Sequence, residues 1–265
     1  MFRQNSALWV RTCWLTHRLE VSSAYPMSSV KQEIDRMIAK VTAYPLARVI
    51  AGPDMPKGLS AKQLDELERE HGVMLGNALR DFYGAINGLR FFWRVPSDVA
   101  PEIFDRYHDA VPNPTTKINW EMTHGIMIPP LETVLTEKTF GDLFLTHRDE
   151  ETMRLWAGRL MTDEAAAASV RVFDRYLAMG NEDGCIGLLM FPDAEPRVVG
   201  ITDSGMVDPK RPWMKVETYL DLVFAMGGED GSRYEHTGMA NVPAGELVFT
   251  AEQIAQFGRD IFRPL

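Results

Sequence analysis

The chain has 265 residues, of which 45% are hydrophobic and 25% are charged, as in an ordinary soluble globular protein. Its 37 acidic and 28 basic residues give a formal net charge of −9. That charge disfavours a general nucleic-acid binder, which needs a cationic surface to release phosphate counterions. Two distant cysteines, Cys13 and Cys185, predict neither a disulfide framework nor a Cys-x-x-Cys site, so a reducing cytoplasm fits best.

Residues 1–27 form an N-terminal extension that differs from the rest, because it holds three arginines and one acid. Its apolar stretches, Ala7–Val10 and Cys13–Leu15, are shorter than the core of a signal peptide. A mitochondrial-type presequence and translation from upstream of a start at Met27 are both open interpretations. No run approaches the ~20 apolar residues of a membrane span, so no membrane association is predicted.

The next segment predicts a helix and a connector. Ser28–Val49 carries apolar residues at three- and four-residue steps, the period of an amphipathic helix. Tyr44-Pro45 should end or kink this helix. Ala51–Gly58 is rich in glycine and proline and is interpreted as a turn-rich connector.

The rest of the chain is organised around Leu59–Trp93, which reads as helix, break, helix, glycine stop and aromatic strand. Ser60 is a candidate N-cap, because its hydroxyl can accept from a free amide of the first helical turn. His71-Gly72 ends the first helix and the second starts near Gly76. Asn87-Gly88 ends the second, since both residues tolerate a left-handed backbone.

The middle of the chain predicts fewer regular elements. Pro96–Pro114 is proline-rich and is interpreted as an elaborated loop. A strand is expected around Gly125–Ile128, followed by a helix or turn at Leu131–Leu135. Asp149–Ala168 has the spacing of a helix.

Three strands then follow at short intervals: Val170–Met179, Cys185–Phe191 and Arg197–Ile201. The connectors at Asn181–Gly184 and Pro192–Pro196 are too short for a parallel crossover. The sequence therefore predicts an antiparallel meander.

The C-terminal part predicts a helix at Trp213–Met226, a strand at Glu246–Thr250 and an amphipathic helix at Ala251–Phe262. No linker of the Gly/Ser or proline-rich type interrupts the chain. We therefore expect one α+β domain over residues 28–265, with its core at 59–227 and an insertion at about 94–170.

Catalytic and cofactor motifs are missing from the sequence. The six histidines include no His-x-x-x-His metal pair, and no glycine-rich phosphate loop occurs. Asp203-Ser204-Gly205 lacks the Gly-x-Ser-x-Gly elbow of a serine nucleophile. Glu66, Glu68 and Glu70 near His71 are interpreted as a solvated helix face. We predict no enzyme, metal or cofactor, with a hydrolase or ligand-binding enzyme on an unrecognised fold as the alternative.

Candidate partner-binding residues lie on the two turns of the meander. Glu182, Asp183, Asp193 and Glu195 place four acids there. Asp is common in turns because its side chain hydrogen-bonds to the nearby backbone, and these acids are then ordinary turn residues. Alternatively, the same acids bind a basic protein.

The tryptophans supply a second kind of candidate. Trp120, beside a polar and an acidic residue, is the expected exposed anchor, because interface hot spots favour tryptophan. Trp93, Trp156 and Trp213 fall on predicted inward faces and are expected in the core.

The order of these motifs resembles the SUKH superfamily of yeast cell-wall regulators of the Smi/Knr type and their bacterial relatives. The family has a Leu-x-x-Leu-Glu step, a Leu-Pro pair before a second helix, Asn-Gly, Pro-Leu-x-x-Val, an acidic Asp-Gly turn, and a Trp before a closing helix. The matching segments here are Leu64–Glu68, Leu75-Gly76, Asn87-Gly88, Pro130–Val134, Asp183-Gly184, and Trp213 with Glu217–Met226. Gly76 departs from the usual proline, and the insertion is longer than in a minimal member.

The resemblance implies an α+β fold in which helices flank a twisted, largely antiparallel sheet. It also implies a non-enzymatic protein that binds another protein in the cytoplasm. Bacterial members are often immunity proteins that neutralise a toxin, commonly a nuclease, and an acidic surface would complement a basic toxin domain. A regulatory or scaffold role, like that of the eukaryotic relatives, is the alternative, and the oligomeric state is left open.

Overall fold

The computed structural model describes residues 27–94, 123–136, 170–177, 183–201, 213–228 and 246–262. Six helices and seven strands lie in these ranges. The helices are α1 (Met27–Ala43), α2 (Ala61–His71), α3 (Gly76–Ala85), α4 (Leu131–Thr136), α5 (Val216–Ala225) and α6 (Ala251–Ile261). The strands are β1 (Arg48–Asp54), β2 (Leu89–Arg94), β3 (Thr123–Ile128), β4 (Val170–Leu177), β5 (Asp183–Leu189), β6 (Arg197–Ile201) and β7 (Trp213–Lys215).

The strands form two antiparallel sheets, of order β1-β2-β3 and β4-β5-β6-β7. In the second sheet, β5 pairs with β6 from Cys185 opposite Ile201 to Leu189 opposite Arg197. Within each sheet every strand pairs with its neighbour in sequence, and the connectors from β4 to β5 and from β5 to β6 are short, as in a meander. The α+β class and the antiparallel meander are therefore confirmed, while the extent of the single domain stays a prediction.

A buried carboxylate joins the two sheets where β3 lies beside β4. The backbone amide of Met127 on β3 donates to Oδ1 of Asp174 on β4, at 2.9 Å. The register of β4 against β5 shifts between Val172 and Asp174, which marks a β-bulge. A side chain thus takes the place of a backbone acceptor at the seam between the sheets.

Helices α1, α3 and α5 pack with the sheets around one apolar core. Because α3 and α5 present apolar residues at helical spacing, each buries a continuous stripe. The largest fully buried side chains include Phe82 and Tyr83 of α3, Phe91 and Trp93 of β2, Phe173 of β4 and Tyr219 of α5. The core position expected for Trp93 is confirmed.

The four-stranded sheet buries apolar side chains on its second face as well. Val172 and Val199 both pair with Gly187, so they share the face opposite Ile186 and Leu188. Val172 and Val199 are buried, yet they do not belong to the contiguous core that holds Ile186 and Leu188. The strands of this sheet therefore read as nearly continuous apolar runs.

The capping signals predicted both ends of α2 correctly, whereas α3 ends at Ala85, before the predicted Asn87-Gly88 stop, with an extended backbone at Ile86. The Ser60 hydroxyl accepts from the amide of Gln63, and the Gln63 side chain accepts from the amide of Ser60, which completes a capping box. Gly72 follows the last turn of α2 with φ +62°. This left-handed conformation costs glycine little, so the helix stops there.

Strand β1 is the main error of the sequence-based prediction, which ran a helix to Val49 and a connector from Ala51. Helix α1 ends at Ala43, and β1 takes up Arg48–Asp54. Its residues are mostly exposed on both faces, so no alternation reveals the strand. The Gly52-Pro53 pair, a turn signal in sequence, lies within an irregular edge strand.

Two smaller differences concern the C-terminal part. Trp213–Lys215 was expected to begin a helix, but forms β7, because its backbone pairs with β6. The strand expected at Glu246–Thr250 is reduced to a bridge between Glu246 and Trp213, with Leu247 N donating to Trp213 O at 2.7 Å. The expected terminal helix is present as α6.

Several predicted features lie outside the described residues. They are the extension before Met27, the loop at Pro96–Pro114, Trp120, the helix at Asp149–Ala168 with Trp156, and Glu182. Among the helices in the described ranges, none is long and apolar enough to cross a membrane.

Candidate interaction surface

Two turns that are distant in sequence meet at one end of the four-stranded sheet. The amide of Met74, between α2 and α3, donates to the carbonyl of Phe191 after β5, at 2.7 Å. A Cβ on Gly76 would lie 1.8 Å from Oε2 of Glu195 and 3.1 Å from Cδ of Pro196. Residues 72–76 and 191–196 therefore run side by side. We call the exposed part of this junction, Met74, Pro192, Asp193 and Glu195, the turn surface.

Glu68 fixes the first of these turns. Its carboxylate accepts from the amide of Leu75 at 2.7 Å and from Nη1 of Arg80 at 2.6 Å. Arg80 also donates through Nη2 to Asp65 at 2.5 Å, which ties α3 to α2. The sequence-based interpretation of Glu68 as part of a solvated face is wrong, because this half-buried carboxylate satisfies a backbone amide at the start of α3.

Gly76 has a backbone conformation that proline cannot adopt. Its φ is +68°, whereas the proline ring fixes φ near −65°. The carboxylate of Glu195 occupies the space that any side chain at this position would enter. Proline is thus incompatible with the way the two turns meet here.

Asp193 and Glu195 leave negative charge unpaired on the turn surface. Both are exposed, and within the described residues neither forms an ion pair or a side-chain hydrogen bond. Six other acids on the described surface have a basic neighbour, in the pairs Glu33–Arg36, Asp54–Arg90, Asp65–Arg80, Glu66–Lys62, Glu246–Lys215 and Glu252–Arg259. The β5–β6 turn therefore carries uncompensated charge that a cationic partner could meet.

An arginine stacked on two aromatic rings borders the turn surface. The guanidinium of Arg197 lies 4.1 Å from the ring centre of Trp213 and 5.5 Å from that of Phe191. Trp213 pairs with Val199, so Arg197 is its diagonal neighbour across the β6–β7 ladder. Trp213 is half-buried, and its expected place in the core is wrong, because the helix that would have turned it inward starts three residues later.

Asp183, the other predicted acid within the described ranges, is not brought to this surface. Asp183 begins β5, while Asp193 and Glu195 follow the end of that strand. At about 3.3 Å per residue, the two turns of the meander lie roughly 20 Å apart. Glu182 and Trp120 lie outside the described residues, so only Asp193 and Glu195 of the predicted set are shown together.

Met74 and Arg197 are the site residues that sequence reasoning missed. Met74 lies in the short break between α2 and α3, and no motif in the surrounding sequence predicts its hydrogen bond to Phe191. For Arg197 a partial signal existed, because the period of two along a strand places it on one face with Val199.

The buried polar groups belong to the interior. Asp174 accepts from the Tyr219 hydroxyl at 2.6 Å, and Tyr83 donates to the carbonyl of Pro129 at 3.1 Å. Burial, with the charges of Asp174 and Glu132, raises the pKa of the Tyr83 phenol well above its usual range. These groups stabilise the fold and do not open onto the turn surface.

Metal-ligand chemistry is not favoured by the described part of the chain, where no three His, Cys, Asp or Glu side chains converge as ligands. Comparisons with protein-family models, with curated proteins and with solved structures each found no match.

Proposed function

We propose that this chain is a non-enzymatic, cytoplasmic protein-binding module that acts as an immunity protein against a nuclease-type toxin. The observation that carries the proposal is the pair of unpaired carboxylates, Asp193 and Glu195, exposed beside Met74 on the turn surface. The class of partner comes from the resemblance of the motif order to the SUKH superfamily.

Charge supports this class of partner. A nuclease must bind phosphate, so its cleft is cationic, and a chain of net charge −9 attracts it over long range. Unpaired acids at the contact also suppress association with other acidic proteins. The same charge disfavours nucleic acid as a direct ligand.

The direct test is an affinity pull-down from the native cell with the tagged chain. The variant Asp193→Lys/Glu195→Lys removes the proposed complementarity. The variant Asp35→Lys/Glu217→Lys makes the same change in net charge on α1 and α5, at exposed acids that form no ion pair within the described residues. We expect a basic protein that the wild type and the second variant recover and the first variant loses.

Expression of the recovered protein alone, and then with this chain, distinguishes the functions. Growth arrest relieved by co-expression supports immunity. A harmless partner would favour the regulatory or scaffold role instead. A chain that binds no protein but carries a small molecule after purification would overturn the binding module and favour the hydrolase or ligand-binding alternative.

A further inference from the structure

We infer that Met74 is the apolar centre of the contact, and that the partner presents an apolar pocket bordered by lysine or arginine side chains. This inference rests on the proposed function and names the surface and the chemistry of its partner. It replaces the sequence-based candidate, in which four acids on two turns of the meander share the contact.

Met74 has the exposure and the backbone support that an anchor needs. Its side chain is 36% exposed at the junction of two turns. Its amide is bonded to Phe191 O, and the next amide, Leu75 N, is bonded to Glu68. Two fixed amides hold the backbone in place, so little ordering entropy is lost on binding. The flexible thioether adapts to an irregular apolar pocket.

The neighbours of Met74 supply the rest of an interface composition. Methionine, aromatic residues and arginine are enriched in protein interfaces, and the half-buried stack of Arg197 on Trp213 lies directly beyond Phe191. Asp193 and Glu195 flank this apolar centre with unpaired negative charge. A partner that buries Met74 must therefore bring cations to its own rim.

The other large apolar side chains that are exposed within the described ranges lack this combination. Val49 and Ile50 lie on β1, where a bulged register and a proline interrupt an edge strand, a common protection against further pairing. The nearby Asp54 is paired with Arg90 at 3.5 Å. Val248 follows Glu246, which is paired with Lys215 at 3.9 Å. Within the part of the chain that the structure describes, the acid closest in sequence to each of these sites is thus already paired.

Site-specific photo-crosslinking in the native cell tests the inference. The photoreactive residue p-benzoylphenylalanine replaces Met74 in one variant, Ile50 in a second and Val248 in a third. All three side chains are exposed, so each variant should keep the circular dichroism spectrum of the wild type. We expect an adduct with a basic protein from position 74 only, reduced about tenfold by Asp193→Lys/Glu195→Lys and unchanged by Asp35→Lys/Glu217→Lys.

The possible failures are distinguishable. Adducts from Ile50 or Val248 but not from position 74 would overturn the inference, while the pull-down would still uphold a binding function. An adduct from position 74 that survives the charge reversal would overturn the cationic rim. Recovery of no partner in the pull-down would instead overturn the proposed function itself.

Discussion

The hydroxyl of Tyr219 donates a hydrogen bond to the buried carboxylate of Asp174, with 2.6 Å between Oη and Oδ2. The other carboxylate oxygen accepts from the amide of Met127 at 2.9 Å. One side chain therefore links α5, β3 and β4, at the seam between the two sheets. A buried carboxylate is tolerated here because its oxygens are hydrogen-bonded.

Removal of the Tyr219 hydroxyl should destabilise the protein. We expect Tyr219→Phe to lower the free energy of unfolding by about 1–3 kcal/mol, since it takes a donor from a buried charge. In an Asp174→Asn background the same change should cost less, because the charge is gone. Urea denaturation of the two single variants and the double variant measures this coupling. Additive effects would contradict the link.

Alanine substitutions at Gly76 and Gly72 separate the cost of a left-handed backbone from the cost of steric crowding. Both have positive φ, +68° and +62°, but only at Gly76 would an added Cβ come within 4 Å of another residue. Gly72→Ala should cost about 1 kcal/mol from the left-handed backbone alone. Gly76→Ala should cost more in a urea titration, and Glu195→Ala should remove part of that excess. Equal costs at the two glycines would show that the turns are not in contact.

Asn87 holds the start of α4 to the end of α3. Its Oδ1 accepts from the amide of Leu131 at 2.9 Å, and its Nδ2 donates to Glu132 Oε2 at 3.0 Å. Asn87→Ala should lower the free energy of unfolding by about 1 kcal/mol, the usual value of a capping bond. Asn87→Asp keeps the acceptor but faces Glu132, so it should also destabilise. Stability restored by adding Glu132→Gln confirms the contact, and no rescue argues against it.

Asp221 makes stability depend on pH. Burial, with the charges of Glu33 and Glu217, raises its pKa from 3.8 to about 6. Because the folded pKa lies above the unfolded one, the folded state binds more protons between these values. Stability therefore falls as the pH rises through that window, and the cost is fully present above pH 6.

Asp221→Asn should remove this cost. Above pH 6 we expect a gain of about 1 kcal/mol, limited because solvent screens a partly exposed carboxylate. Below pH 3.8 the gain should vanish, since Asp221 is then protonated in both states. Urea titrations across this range measure it, with the exposed Asp35→Asn as the control for loss of one charge. A gain that is independent of pH would contradict the account.

Local signals in the sequence predicted those elements whose cause is local. The Ser60–Gln63 capping box and Gly72 define α2, and the short apolar run of β6 after the turn at Pro192–Pro196 predicts that strand. Strand β1 was not predicted because its exposed residues show no alternation of apolar and polar side chains. Strand β7 was not predicted because three residues are too few to show such alternation, and they form a strand only by pairing with β6.

The candidate surface was predicted only in part for the same reason. The sequence identifies Asp193 and Glu195 as acids in a turn. Their proximity to Met74 depends on a tertiary hydrogen bond from the Met74 amide to the Phe191 carbonyl. The placement of Asp183 at the far end of β5 follows from strand length once the strand is assigned. Contacts between distant segments leave no periodic trace in a single sequence.

The central claim is that a basic protein binds at the turn surface, and isothermal titration calorimetry tests it most directly. The titration uses the purified chain and the basic protein recovered from the native cell. We predict that Asp193→Lys/Glu195→Lys raises Kd about tenfold at low salt. The variant Asp35→Lys/Glu217→Lys should leave Kd within a factor of two of the wild type. Equal weakening by the two variants, or none by either, would contradict binding at this surface.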